Sequence, residues 1–166
     1  MSARFGKLPW LWLSLLVFVI DQASKFYFDS ALTLYQQIVV IPDYFSWTLA
    51  YNTGAAFSFL AGASGWQRWL FALIAIVVSA VLVVWLKRLK PDETWLAMAL
   101  ALVLGGALGN LVDRVIFGHV VDFILMHWQH RWYFPAFNVA DAAITLGAIL
   151  LALDMFRSNK SGETTP

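Results

Sequence analysis

The chain has 166 residues, of which 61% are hydrophobic, 16% aromatic and 13% charged, with a formal net charge of +1 and a mean hydropathy of +0.71. Soluble domains carry about a quarter charged residues, and so short a chain has too little interior to hide this much apolar surface, which excludes a soluble protein and indicates an integral membrane protein. The small net charge gives no footing for nucleic acid, and the absence of cysteine excludes disulfides, thiolate metal sites and a thiol nucleophile.

Four apolar runs, 8–28, 66–86, 94–117 and 137–156, are long enough to cross a bilayer, which takes about 20 residues. The first follows Arg4 and Lys7 and superficially resembles a secretion signal. Its apolar stretch is too long for one, and Asp21 and Lys25 stand where a small-residue cleavage site belongs, so it reads as a retained helix. Asp21 and Lys25 are spaced i, i+4 with the acid first, the order that favours an intrahelical ion pair, and a structural role is the expectation for them. Segment 29–65 holds two β-type stretches, 37–41 and 45–51, punctuated by Pro42-Asp43. Strict alternation puts Phe45, Trp47, Leu49 and Tyr51 on one face and Ser46, Thr48 and Ala50 on the other, with the aromatic face suited to the lipid headgroup level. Next comes Asn52-Thr-Gly54-Ala-Ala56-Phe57, which reads as a plain turn or as a loop whose small residues let backbone approach a ligand.

The third run contains Gly105-x-x-x-Gly109, a spacing that permits close helix packing in lipid. Asn110, Asp113 and Arg114 follow it; Asn110 and Arg114 share a face, and Asp113 is expected to pair with an arginine or to reach the interface. The outer segment 118–136 carries Gly118-His-Val-Val-Asp122-Phe123. The fourth run opens after Pro135 with Asn138-Val-Ala-Asp141, where Asn138 is placed to cap a helix. Beyond it, 158–166 reads as a disordered tail. Lys87, Arg88 and Lys90, with Arg4, Lys7, Arg157 and Lys160, load one side of the membrane with positive charge. Both termini are therefore expected to be cytoplasmic and 29–65 and 118–136 to face outward.

With that topology every intramembrane polar residue gathers near the outer side, which indicates one polar chamber. Asp122 and Asp141 stand in apolar frames that would bury a carboxylate, and buried carboxylates in a membrane protein rarely lack a task. Two that converge can share a proton and split a peptide bond. Simpler readings stand beside this: Asp122 as an exposed loop residue, and Asp141 as a complement to its helix dipole. His119, His127 and His130 all fall in the second outer segment, with no His-Glu-x-x-His helix, and His127 and His130 read as an interfacial pair near Trp128 and Trp132. Gly62-Ala-Ser64-Gly65 matches a serine-protease motif only superficially, since no membrane helix supplies a histidine base. Ser24 and Lys25, adjacent on a helix, point about 100° apart. A small ion or proton transporter and a structural or lipid-binding scaffold are the rival classes; the first predicts polar groups along a through-path, the second tolerance of changes at both aspartates.

Five blocks in order, Asp21-Gln22-x-x-Lys25, Asn52-Thr-Gly54-Ala-Ala56-Phe57, Gly105-Gly106-Ala-x-Gly109-Asn110-Leu-x-Asp113-Arg114, Gly118-x-Val-Val121-Asp122-Phe123 and Phe137-Asn138-x-Ala140-Asp141, resemble the bacterial lipoprotein signal peptidases (signal peptidase II). The resemblance implies an all-α membrane protein of four transmembrane helices with a small extracytoplasmic β-sheet and loop resting on the outer membrane surface, as one peptidase domain over 1–157. It implies an aspartyl endopeptidase of the bacterial inner membrane that removes the signal peptide from diacylglyceryl-modified prolipoproteins. Cleavage would fall on the N-terminal side of the lipidated cysteine, by acid/base activation of water. Asp122 and Asp141 correspond to the catalytic pair, with Asn138 orienting Asp141 and with Asn52, Gly54, Asn110 and Arg114 supporting the site or gripping substrate. The implied partners are lipid-modified prolipoproteins and membrane lipids, with no nucleic acid, no cofactor and no metal, for a monomer whose active site lies near the periplasmic face.

Overall fold

The computed structural model describes residues 6–54, 65–129 and 131–162, with side chains described up to Phe156. Arg4, Ala56, Phe57, Ser64 and His130, and the side chains of Arg157 and Lys160, lie outside these. The protein is mostly helical, with four helices long and apolar enough to span a membrane and a small four-stranded antiparallel sheet. The helices are α1 (Leu11–Ala31), α2 (Trp66–Arg88), α3 (Thr94–Ile116) and α4 (Val139–Gly162). A short 3-10 turn, Leu8–Trp10, leads into α1, with Pro9 in its first positions where a missing N–H costs nothing. Helix α4 starts after Phe137-Asn138 and runs on through Arg157 to Gly162, into the stretch whose composition suggests disorder. No proline interrupts it before that point.

Helix α3 is the hub, and its sequence explains why. It packs against α1, α2 and α4, and 56% of its span is buried, compared with 17–22% for the other three. In lipid no hydrophobic force pulls helices together, so close approach depends on small residues. Gly105 faces α1, where an added Cβ would lie 2.7 Å from the Ser14 carbonyl and 2.8 Å from Val17 Cβ. Gly106 faces α4, where a Cβ would run into the Ala140 carbonyl, and Gly109 is pressed against the Asp21 carboxylate. From the other side, Gly147 of α4 seats on Ala99 and Val103. Ser14 Oγ adds a hydrogen bond to the Ala101 carbonyl at 2.8 Å. The outward faces of α1, α2 and α4 present Leu15, Val19, Ile76, Val81, Leu153 and Met155, as spanning helices in hydrocarbon require. At the other end of the molecule Lys7 ties down the chain start, its N–H bonded to the Leu86 carbonyl at 2.9 Å and its ammonium to Thr94 Oγ1 at 2.9 Å.

The sheet runs in the order β1 (Gln37–Ile41), β2 (Phe45–Asn52), β3 (Val120–Trp128), β4 (Trp132–Tyr133). The first two strands occupy the stretches the β-rich composition indicates. The third lies in the outer segment that reads as a loop, although its Val, Ile and Phe content is typical of a strand. A register shift between Trp47 and Ala50 also breaks the strict alternation expected for β2: Ser46, Thr48 and Leu49 are all buried, because a bulge sets two residues against one and resets the faces. Past the bulge Ala50 pairs with Asp122 and Asn52 with Val120, so Asn52 and Asp122 share one face as diagonal neighbours. His127 is buried within the sheet, 4% exposed, with Nε2 3.2 Å from Ser46 Oγ and its ring against Tyr133. Phe28 at the end of α1 stacks on Phe123, ring centroids 4.4 Å apart, and touches Trp47 at 4.8 Å, which fixes the sheet to the helices.

If the α3 glycines set the helix spacing, Gly105→Val forces α1 away by more than its neighbours can absorb. The expected result is a loss of about 1–3 kcal/mol of stability, read as a lower thermal unfolding midpoint of the purified protein in detergent.

Candidate active site

Between α1 and α3 lies a closed cluster of charges. Lys25 is 3% exposed, and its ammonium meets Asp21 Oδ2 at 2.8 Å and Asp113 Oδ2 at 3.0 Å. It donates a third bond to Asn110 Oδ1 at 2.9 Å, so all three ammonium hydrogens have partners. The intrahelical pair that the i, i+4 spacing predicts is present, and Asp113 joins it instead of an arginine or the interface. Asp113 sits opposite Lys25 because α1 and α3 are in close contact, a relation that spacing within one helix does not carry. Gln22, to which the sequence reading assigned no role, bridges the two acids, donating to Asp113 Oδ1 at 2.9 Å and to Asp21 Oδ2 at 3.2 Å. Its place in the Asp21-Gln22-x-x-Lys25 block was the available signal.

Asp21 reaches further. Its Oδ1 accepts the Ala140 N–H at 2.8 Å, so a carboxylate from α1 satisfies one of the open amides at the start of α4. Asn138 satisfies the next: its Oδ1 accepts the Asp141 N–H at 2.9 Å, the N-cap arrangement that its position suggests. With its oxygen so occupied, the Asn138 amide nitrogen turns to Asp122 Oδ1 at 2.7 Å, with longer contacts to Asn110 Oδ1 and the Val121 carbonyl at 3.3 Å. Asn110 treats the other acid the same way, donating from Nδ2 to Asp141 Oδ1 at 2.7 Å. Each aspartate therefore holds one oxygen against an asparagine amide. Asp122 is not an exposed loop residue; it lies on β3 and is 2% exposed.

Asn52, Gly54 and Arg114 complete the surround. The Asn52 side chain bonds Asp122, and its Oδ1 accepts the Gly54 N–H at 3.0 Å. Arg114 donates to the Gly54 carbonyl at 2.9 Å and back to the Asn110 carbonyl at 3.1 Å. Asp21, Lys25, Asn52, Gly54, Asn110, Arg114, Asp122, Asn138 and Asp141 thus belong to one connected network. Burial and the nearby Asp141 push the Asp122 carboxyl up from 3.8 to about 7, against the opposing pull of Asn52 and Asn138. A cavity of about 850 Å³ opens beside the network between α2 and α4, with α3 as its floor. Asp141, Asn110, Arg114 and Asn52 line its polar end, and apolar side chains such as Phe71, Ile74 and Leu146 line the remainder. Among the described residues no group of His, Asp and Glu is arranged to hold a metal ion.

Comparison with known proteins gives a consistent picture. Residues 13–157 match the family described as Signal peptidase (SPase) II. The chain is 80% identical over 160 residues to the lipoprotein signal peptidase of Pseudomonas aeruginosa (strain UCBPP-PA14), covering 96% of this chain and 95% of that protein. It is 80% identical over 162 residues to the one from Pseudomonas putida, covering 98% and 95%. A solved structure described as a bacterial membrane enzyme superposes with a TM-score of 0.83 at 28% identity, covering 100% of this chain and 98% of that one.

The raised Asp122 carboxyl has a signed consequence for stability. The folded protein binds this proton more tightly than the unfolded chain, so stability contributed by protonation is complete below 3.8 and is lost as pH rises to about 7. The loss reaches roughly 4 kcal/mol at most. Asp122→Asn is expected to raise the thermal midpoint in detergent more at pH 8.5 than at pH 4.5; an equal gain at both values would contradict the assignment.

Proposed function

The chain belongs to the signal peptidase II family and is a membrane peptidase, and from that premise we propose an intramembrane aspartyl endopeptidase in which Asp122 and Asp141 do the chemistry. The observation that carries the proposal is the pair of carboxylates, Asp122 buried and Asp141 half-buried, each held at one oxygen by an asparagine amide at 2.7 Å, at the polar end of an apolar cavity.

Two carboxylates in such proximity hold one proton between them near neutral pH. The ionised member takes a proton from a water molecule, whose oxygen attacks the scissile carbonyl carbon. The protonated member gives its proton to the carbonyl oxygen as the tetrahedral intermediate forms. Collapse of the intermediate breaks the C–N bond, and the leaving nitrogen takes up a proton from the pair. The asparagines supply fixed orientation: Asn138 joins Asp122 to the first turn of α4, and Asn110 holds Asp141. Asn52 and Arg114, on the cavity wall, are placed to bind the substrate backbone.

The family and the cavity together support the substrate class. Lipoprotein signal peptidases act on prolipoproteins, and a cavity with a polar end and a long apolar wall between two spanning helices matches a diacylglyceryl-modified peptide. The scissile bond is on the N-terminal side of the lipidated cysteine. The distribution of lysine and arginine supports a protein of the bacterial inner membrane with both termini cytoplasmic and the site toward the periplasm, where the sheet with its aromatic edge (Tyr44, Trp128 and Trp132) rests on the membrane surface. One chain holds the whole site, which supports a monomer. The clustering of polar groups at one end of the bundle, with an apolar cluster (Leu82, Leu86 and Leu100) at the other, argues against a transport path.

The decisive measurement is cleavage of a purified prolipoprotein, with and without its diacylglyceryl group, by wild-type protein and by Asp122→Asn and Asp141→Asn. Only the lipid-modified substrate is expected to be cut, and each substitution is expected to lower kcat by roughly 100-fold or more. Chelator should have no effect. Full activity in either Asn variant would remove the dyad.

A further inference from the structure

Resting on that reading of Asp141, we infer that Lys25 is a positioning residue for catalysis, acting on Asp141 through the side chain of Asn110. Lys25 contacts neither proposed catalytic carboxylate directly. Its partners are Asp21, Asp113 and Asn110, and the chemistry described above makes no use of it.

The argument turns on the two ends of the Asn110 amide. An asparagine side chain presents an acceptor at one end and donors at the other, and a half-turn about its last bond exchanges them. Only one orientation serves Asp141: the Nδ2 end must face it, because the oxygen end would set acceptor against carboxylate. Lys25 has donors alone, so at 2.9 Å from Asn110 Oδ1 it is compatible with that orientation and opposes the flipped one. The Asn138 amide nitrogen, 3.3 Å from the same oxygen, points the same way, but it is committed more closely to Asp122 at 2.7 Å. A charged donor at the shorter distance makes the larger contribution.

Lys25 can perform this task because it is itself immobile. Asp21 and Asp113 occupy its other two hydrogens, and Gln22 ties those acids together. Asp21 also holds the Ala140 amide, one residue before Asp141, so one carboxylate fixes both the lysine and the backbone that carries the target. The Asn110 main chain is anchored separately, its carbonyl taking a bond from Arg114. What Lys25 controls is the direction in which the amide points.

A double-mutant cycle of Lys25→Gln and Asn110→Ala, read as kcat and KM on lipid-modified prolipoprotein, tests this. Lys25→Gln should lower kcat by roughly 100-fold, the scale of a small misplacement at a reacting group, with KM near the wild-type value. Added to Asn110→Ala, it should lower kcat no further, because the residue through which it acts is gone. Effects that multiply in the double variant, or a folded Lys25→Gln protein with wild-type kcat, would overturn the inference. If Lys25→Gln alone fails to fold because two acids are left unpaired, the same cycle in an Asp21→Asn background gives the answer. Asp141→Asn in the same assay separates the two questions: activity there would refute the reading of the catalytic pair, whereas additivity in the cycle refutes only the relay.

Discussion

A charge carried to membrane depth must bring its full set of partners, and this requirement organises the polar half of the molecule. Lys25 is satisfied by two acids and an amide, Asp21 by the lysine and an α4 amide, and Asp113 by Lys25, by Gln22 and by the Val121 N–H at 3.2 Å. Leaving any one unpartnered would cost several kcal/mol. The cluster can close only if α1, α3 and α4 approach within side-chain reach, which is why α3 carries glycine at 105, 106 and 109. The small residues and the charges solve one problem between them: the first permit the approach, and the second penalise any departure from it.

From this base the site is built outward in layers. The ion cluster holds Asn110 and the start of α4, Asn110 and Asn138 hold the two aspartates, and the sheet delivers Asp122 from the opposite direction. Asp122 owes its raised pKa of about 7 first to burial and second to Asp141. Strand β3 supplies that burial, leaving Asp122 2% exposed, while its neighbour Asn52 opposes the rise. The bulge in β2 resets which residues share a face, so that Asn52 and Asp122 fall on the same one.

Much of this could be read in the chain before any coordinates. Composition and run length were enough for four spans, because a bilayer imposes a length and a polarity that few other environments do. The i, i+4 spacing indicated the Asp21–Lys25 pair, and the position of Asn138 after Pro135 indicated the cap. Other features were hidden for definite reasons. The partner of Asp113 lies on another helix, and no pattern within 94–117 points across to it. The burial of His127 depends on strand β3, whose apolar content blended into the surrounding loop. The β2 bulge has no sequence marker, since neither Thr48 nor Leu49 is a typical bulge residue. The continuation of α4 past Phe156 depends on the absence of a stop signal, which composition obscures.

The first turn of α4 sets a limit on how the reaction's negative charge is handled. The amides of Ala140, Asp141 and Ala142 are bound to Asp21 Oδ1, Asn138 Oδ1 and the Asn138 carbonyl. A helix start beside a reacting carbonyl would otherwise offer a ready-made oxyanion hole of backbone N–H groups, and here these donors are committed to the fold. In the proposed reaction the developing alkoxide would therefore be neutralised by proton transfer or met by side chains. Under the proposed mechanism the backbone secures the two aspartates, and the acids themselves would carry the transition state.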